Sequence, residues 1–249
     1  MASSIDRAVF YLCLARAYLA PQERAAYDAI KLHLADDLAE LADSLGYPAG
    51  DRLRELRDAV AGIPDHLTLL QDYSKLFLAP PTPVTLNAGL YLDGAIMGRA
   101  TAAIEQCYRQ AGLARAGSFH DLPDHIALQL EFVAYLCACE AAGSAGALKA
   151  NDFLASFVRY WLPPFVAALE AACAQDARTR VYLCLARVLQ VAVDHDLRDY
   201  RPACNRPITA AGDGTLISDA GRADHPAAYG PTPVAQRVQC GYGTAKQTR

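Results

Sequence analysis

Three side chains capable of chemistry lie close together in one segment: Asp124, His125 and Glu131. An Asp-His pair suggests a general base, but hydrolysis also needs a nucleophile within hydrogen-bond reach. Ser118 is the nearest hydroxyl, and no strained G-x-S-x-G elbow surrounds it. The second chemistry open to the segment is recognition. Carboxylates at Asp124 and Glu131 can accept paired hydrogen bonds from a guanidinium. Each residue also has a plainer use. Asp124 complements a helix dipole, Glu131 is a paired structural carboxylate, and His125 is a surface or capping group.

The element that must position them reads as a helix over 122–142. Pro123 suits a first helical turn, where its missing N–H is no loss, and Asp121 stands ready to cap. Ile126, Leu130, Val133 and Cys137 form one apolar face. Asp124 and Glu131 are two turns apart and share another face with Leu128 and Tyr135, with His125 at the exposed end. One face enters a core while the other presents two carboxylates.

The rest of the chain reads as all-α. It has 249 residues, is 53% hydrophobic and is poor in β-branched runs. Helices are expected over 5–20, 22–45, 51–61 (with Asp51 as cap), 65–78, from about 95 to Tyr108, over 147–172 and over 178–198. Seven to nine helices are expected in all. Gly46-Tyr47-Pro48, Gly62-Ile63-Pro64 and the proline-rich segment 79–85 separate them. The double proline Pro163-Pro164 predicts a kink or a split in the 147–172 helix. After Tyr200 the composition shifts. Residues 201–249 hold five prolines and six glycines and carry a net charge of +3, leaving −7 on residues 1–200. The division is a helical domain over 1–200 and an irregular tail over 201–249.

A net charge of −4 excludes a general nucleic-acid binder, which needs a basic stripe. No apolar run is long enough for a membrane span, and the first residues lack the pattern of a secretory signal. A cytoplasmic protein with reduced cysteines is expected. Cys137 and Cys139 lie two apart, on opposed sides of a helix, and cannot chelate one metal. With Cys13, Cys173 and Cys184 they read as small core residues, while Cys204 and Cys240 sit in the tail. No spacing supports a zinc site, and no glycine-rich loop opens a helix to cradle phosphate. No cofactor is expected.

Several blocks in order resemble the TorD/DmsD/NarJ-type chaperones that mature molybdenum enzymes. Tyr73-Ser74-Lys75-Leu76-Phe77 before a proline-rich loop is similar to their Y-x-x-L-F segment. Tyr108 to Leu113 is similar to Y-x-x-x-G-L. Leu122-Pro123-Asp124-His125-Ile126 with Leu130-Glu131-Phe132 is similar to P-D-H-(I/L)…L-E-F, the most specific block. Trp161 to Phe165 is similar to W-x-P-x-F. The resemblance covers roughly residues 70–190. Leu90 to Gly94 departs from the P-Y-E-S loop of better-known members and looks more like the branch serving type II enzymes of the dimethyl sulfoxide reductase family.

The resemblance implies an all-helical chaperone without catalysis. It would bind the twin-arginine leader or immature body of a molybdoenzyme catalytic subunit until its cofactor is inserted. It places Asp124 and His125 at the leader groove and Glu131 on the same helix. Phe77, Tyr91 and Trp161 are then candidate apolar anchors for the leader's hydrophobic part, and the acidic body favours a basic leader. A helical scaffold or regulator with another protein partner, and a His125/Asp124 hydrolase, are the alternative readings. A monomer or a dimer swapped through segment 79–85 is compatible with the sequence.

Overall fold

A computed structural model describes residues 4–113 and 121–201. Among them the chain forms nine helices and no strand: α1 (Ser4–Ala17), α2 (24–45), α3 (Gly50–Ala61), α4 (His66–Phe77), α5 (Gly89–Leu92), α6 (Arg99–Gln110), α7 (Ile126–Ala141), α8 (150–175) and α9 (Arg180–Asp196). The tail beyond Arg201, with Cys204 and Cys240, and the segment holding Ser118 lie outside the described residues.

The core is built around α1 and α9, which bury nearly every side. Phe10, Tyr11, Leu14 and Tyr18, in and just after α1, have no exposed surface, and α1 packs closely along α7 and against α2. Helix α9 packs on α8 and α3. The two ends of the described chain are tied by one carboxylate. Asp196 accepts from Arg7 Nε at 2.8 Å, from the Tyr11 hydroxyl at 2.7 Å and from the Tyr47 hydroxyl at 2.9 Å. A carboxylate at a helix C-terminus opposes the dipole. Here the partly buried Arg7 guanidinium and two phenols offset that.

Three sequence expectations need correction. Helix α3 starts at Gly50 with Ala49 as its cap residue, so Asp51 lies in the first turn. Helix α8 is not split by Pro163 and Pro164, which both lie within it. The prolines remove the helical donors for the carbonyls of Arg159 and Tyr160, and both residues are exposed, so water can satisfy those oxygens. A π turn at Leu154–Val158 precedes them, and a second interrupts α2 at Ile30–Leu34. The third correction concerns the start of α7, the element that carries the candidate site.

Candidate functional site: the seam between α7 and the 85–98 segment

Helix α7 starts at Ile126, not at 122. The reason is a backbone seam. Asn87 and His125 form an antiparallel bridge. The Ala88 N–H donates to the Asp124 carbonyl at 3.0 Å and the Ile126 N–H to the Leu86 carbonyl at 2.8 Å. Residues pairing with a neighbouring segment cannot also turn into a helix. The cap is therefore His125, whose Nδ1 accepts the Ala127 N–H at 3.1 Å, rather than Asp121. The Tyr108 hydroxyl of α6 donates to the Pro123 carbonyl at 3.0 Å and fixes the approach to the seam.

Asp124 is not presented to solvent. It is 0% exposed, and its Oδ2 accepts the Gly89 N–H at 2.7 Å while its Oδ1 lies 3.4 Å from the Asn87 amide. A buried ionised oxygen on a backbone N–H is a strong bond. It requires glycine at 89. A Cβ there would lie 2.7 Å from Asp124 Oδ2, 2.9 Å from the Ala95 carbonyl and 2.9 Å from Thr101 Oγ1. The Asp124 carbonyl takes the Gln129 side-chain amide at 2.8 Å, and Gln129 Oε1 accepts the indole N–H of Trp161 at 2.9 Å. The chain of contacts runs from the 85–89 segment through α7 to α8.

His125 is also inside, at 4% exposed, rather than at an exposed end. Burial holds its imidazole below the ordinary histidine value, against the opposing pull of Asp121 and Asp124. The Asp121 carboxylate lies 3.7 Å from Nε2. With Nδ1 committed to the Ala127 N–H, the ring is not free to serve as a general base on that nitrogen.

Glu131 differs from these two. It is half-buried on the stripe Leu128–Glu131–Tyr135, as the helical spacing predicts. Among the described residues it has no hydrogen bond and no ion pair. Burial raises its carboxyl above the usual range, and the exposed Arg16 of α1 only partly opposes this. Both Asp124 and Glu131 act on the buried phenol of Tyr108, which burial pushes well above its ordinary value.

The three aromatic candidates separate. Trp161 is fully buried beneath Gln129. Phe77 is buried between α4 and α9, with its ring 5.0 Å from both Tyr73 and Tyr182. Tyr91 is half-buried, and its hydroxyl donates to the Thr85 carbonyl at 3.0 Å with its ring edge-on to Phe165.

What the sequence reading missed is the loop that this seam supports. Asp93 Oδ2 accepts the Ala100 N–H at 2.8 Å and so caps α6 from outside, with Gly98 pressed against its carboxylate. Pinned at one end by Asp124 and at the other by Asp93, the loop lifts Ile96 and Met97 into solvent at 66% and 73% exposed. Met97 holds φ at +57°, a conformation that costs a residue with a side chain roughly 1 kcal/mol or more. The sequence signal was available in Leu92-Asp93-Gly94 and Gly98, the turn residues flanking two bulky apolar ones. Gln129 and Gly89 gave no such signal. Among the described residues no group of histidine, cysteine, aspartate and glutamate has the arrangement of a metal site, and no helix is long and apolar enough to cross a membrane.

Residues 34–167 match the family described as nitrate reductase delta subunit. A 96-residue stretch is 31% identical to the chaperone protein TorD of Escherichia coli O81 (strain ED1a), covering 37% of this chain and 46% of that protein. The chain thus spans under half the length of that curated relative. A candidate redox enzyme maturation protein from Archaeoglobus fulgidus, known from its crystal structure, is similar at 18% identity and a TM-score of 0.46. That match covers 73% of this chain and 93% of the other.

Proposed function

We propose that this chain, which belongs to the nitrate reductase delta subunit family, is a redox enzyme maturation chaperone. In this reading it binds the twin-arginine leader or immature body of a molybdoenzyme catalytic subunit and holds it until the molybdenum cofactor is inserted. The clients are type II enzymes of the dimethyl sulfoxide reductase family. The chain works by holding rather than by turnover.

The observation that carries this reading is Glu131, a half-buried carboxylate with no ion pair among the described residues. Burying a charge without a partner is unfavourable. A guanidinium arriving from a leader would supply the missing partner with two parallel hydrogen bonds. Asp124 and His125 then act by position. They fix the seam that holds the 89–98 loop, while Tyr91 and the exposed Leu90, Ile96 and Met97 offer apolar surface to the leader's hydrophobic stretch. Met97 suits a variable apolar partner, because an unbranched thioether adapts its shape. Trp161 backs Tyr91 through the ring of Phe165, and Phe77, packed on Tyr73 and Tyr182, serves the core rather than this surface.

The test is capture of the client. Tagged full-length chain would be isolated from cells making a molybdoenzyme of this class. Co-isolation of its catalytic subunit without cofactor is the expected result. Recovery of unrelated proteins alone would reassign the chain to a scaffold.

A further inference from the structure

We propose that His125 is an acid-operated latch on the 86–98 segment: its neutral ring closes the seam, and protonation of Nδ1 opens it. Nδ1 is the acceptor for the Ala127 N–H at 3.1 Å, so a proton placed there removes the α7 cap and sets two donors against each other. The same residue supplies the bridge to Asn87, and its neighbours on either side supply the two backbone bonds that join α7 to Leu86 and Ala88. Loss of the cap therefore loosens the backbone pairing between those segments, and with it the seat of Gly89 on Asp124.

On balance the surroundings of the ring favour the closed, neutral form. Asp121, 3.7 Å from Nε2, and the adjacent Asp124 both favour an imidazolium. Asp124 is turned away onto Gly89 and Asn87. The packed 85–89 segment contributes Asn87 and Thr85 but no charge, and α6 contributes the neutral phenol of Tyr108. Against the two carboxylates stand burial and the positive end of the α7 dipole, both of which disfavour a cation. The folded ring binds its proton less readily than the free one, whose value is 6.5. The latch's contribution is whole above pH 6.5 and is lost as pH falls through the folded value. Any effect on a bound client rests on the chaperone reading, but the latch itself does not.

Backbone amide exchange on the full chain tests it, in the wild type and in His125→Asn, between about pH 7.5 and about pH 5. Asparagine caps a helix through an oxygen that does not titrate in this range. In the wild type, protection at Ala127 and Gly89 should fall together below pH 6.5, by up to about tenfold per pH unit, while amides in the middle of α9 keep theirs. In His125→Asn both should stay level. Unchanged protection in the wild type, or the same fall in His125→Asn, overturns the latch. Should His125→Asn fail to fold, Asp121→Asn decides. It removes the carboxylate near Nε2, so the midpoint must move to lower pH, and a midpoint that stays in place overturns the proposal. No client is present in this experiment, so its failure leaves the chaperone reading standing.

Discussion

The Asp124 carboxylate and the Gly89 backbone N–H meet at 2.7 Å in a fully buried contact, thirty-five residues apart in the chain. The most polar-looking residue of the P-D-H block is thus spent on holding a loop. Asp124→Asn keeps the shape but replaces a charged acceptor with a neutral one and turns an amide donor toward either Gly89 or Asn87. The expected loss is about 2 kcal/mol of folding stability, read by urea denaturation.

Gly89→Ala attacks the same contact from the other side. Its Cβ meets Asp124 Oδ2, the Ala95 carbonyl and Thr101 Oγ1, none of them farther than 2.9 Å, and the carbonyl is backbone and cannot swing away. A loss of about 2 kcal/mol is expected, within the range of ordinary overpacking. Gly98→Ala should lose less, because two of its three close contacts are to the Asp93 carboxylate, the end of a side chain. Thermal melts of the two variants give the order, and equal effects would count against the tight seat at Gly89.

Glu131→Gln should raise stability and lower affinity. A carboxyl raised in the folded state makes the fold lose stability as pH rises from the unfolded value of 4.5 through the folded one. The substituted amide does not titrate, so the variant should be more stable than wild type at about pH 7 and lose that advantage in acid. If a leader guanidinium pairs with Glu131, the same change should weaken leader binding by about 2 kcal/mol, roughly thirtyfold. Denaturation at two pH values and calorimetric titration check the two halves separately.

Gln129→Leu removes the link between the seam and α8. It leaves the Trp161 indole N–H buried without its partner and takes from the Asp124 carbonyl one of its two donors, the Ala88 N–H remaining, at a cost of about 2 kcal/mol. Trp161 is the sole tryptophan, so its emission reports the change directly. A spectrum identical to wild type would contradict the Gln129 contact.

The helical character, the order of the helices and the open stripe of Leu128, Glu131 and Tyr135 were legible in periodicity, because a solvent-facing helix must repeat every three to four residues. The start of α7 was not. Leu122-Pro123-Asp124 has every local mark of a first turn, and what overrides it is a strand-like partner segment far upstream, at Asn87 and its neighbours. Local propensity carries no information about such a partner. For the same reason the sequence pointed correctly to Asp124 and His125 as unusual, yet placed them at the surface. Gln129 was invisible because a buried amide on an apolar face resembles any mid-helix glutamine until its two partners, the Asp124 carbonyl and Trp161, are known. The double proline does not split its helix, for a simpler reason. The carbonyls it leaves without helical donors belong to exposed residues, so α8 runs on through Pro163 and Pro164.

The most direct measurement of the central claim is calorimetric titration of the full chain with a twin-arginine leader peptide of a molybdoenzyme catalytic subunit. A peptide with both arginines replaced by glutamine and the Glu131→Gln variant serve as the comparisons. The account predicts binding by the native peptide that weakens with added salt, and a loss on peptide substitution that largely disappears in Glu131→Gln. Binding that is indifferent to the arginines, or an arginine effect undiminished in Glu131→Gln, would contradict it.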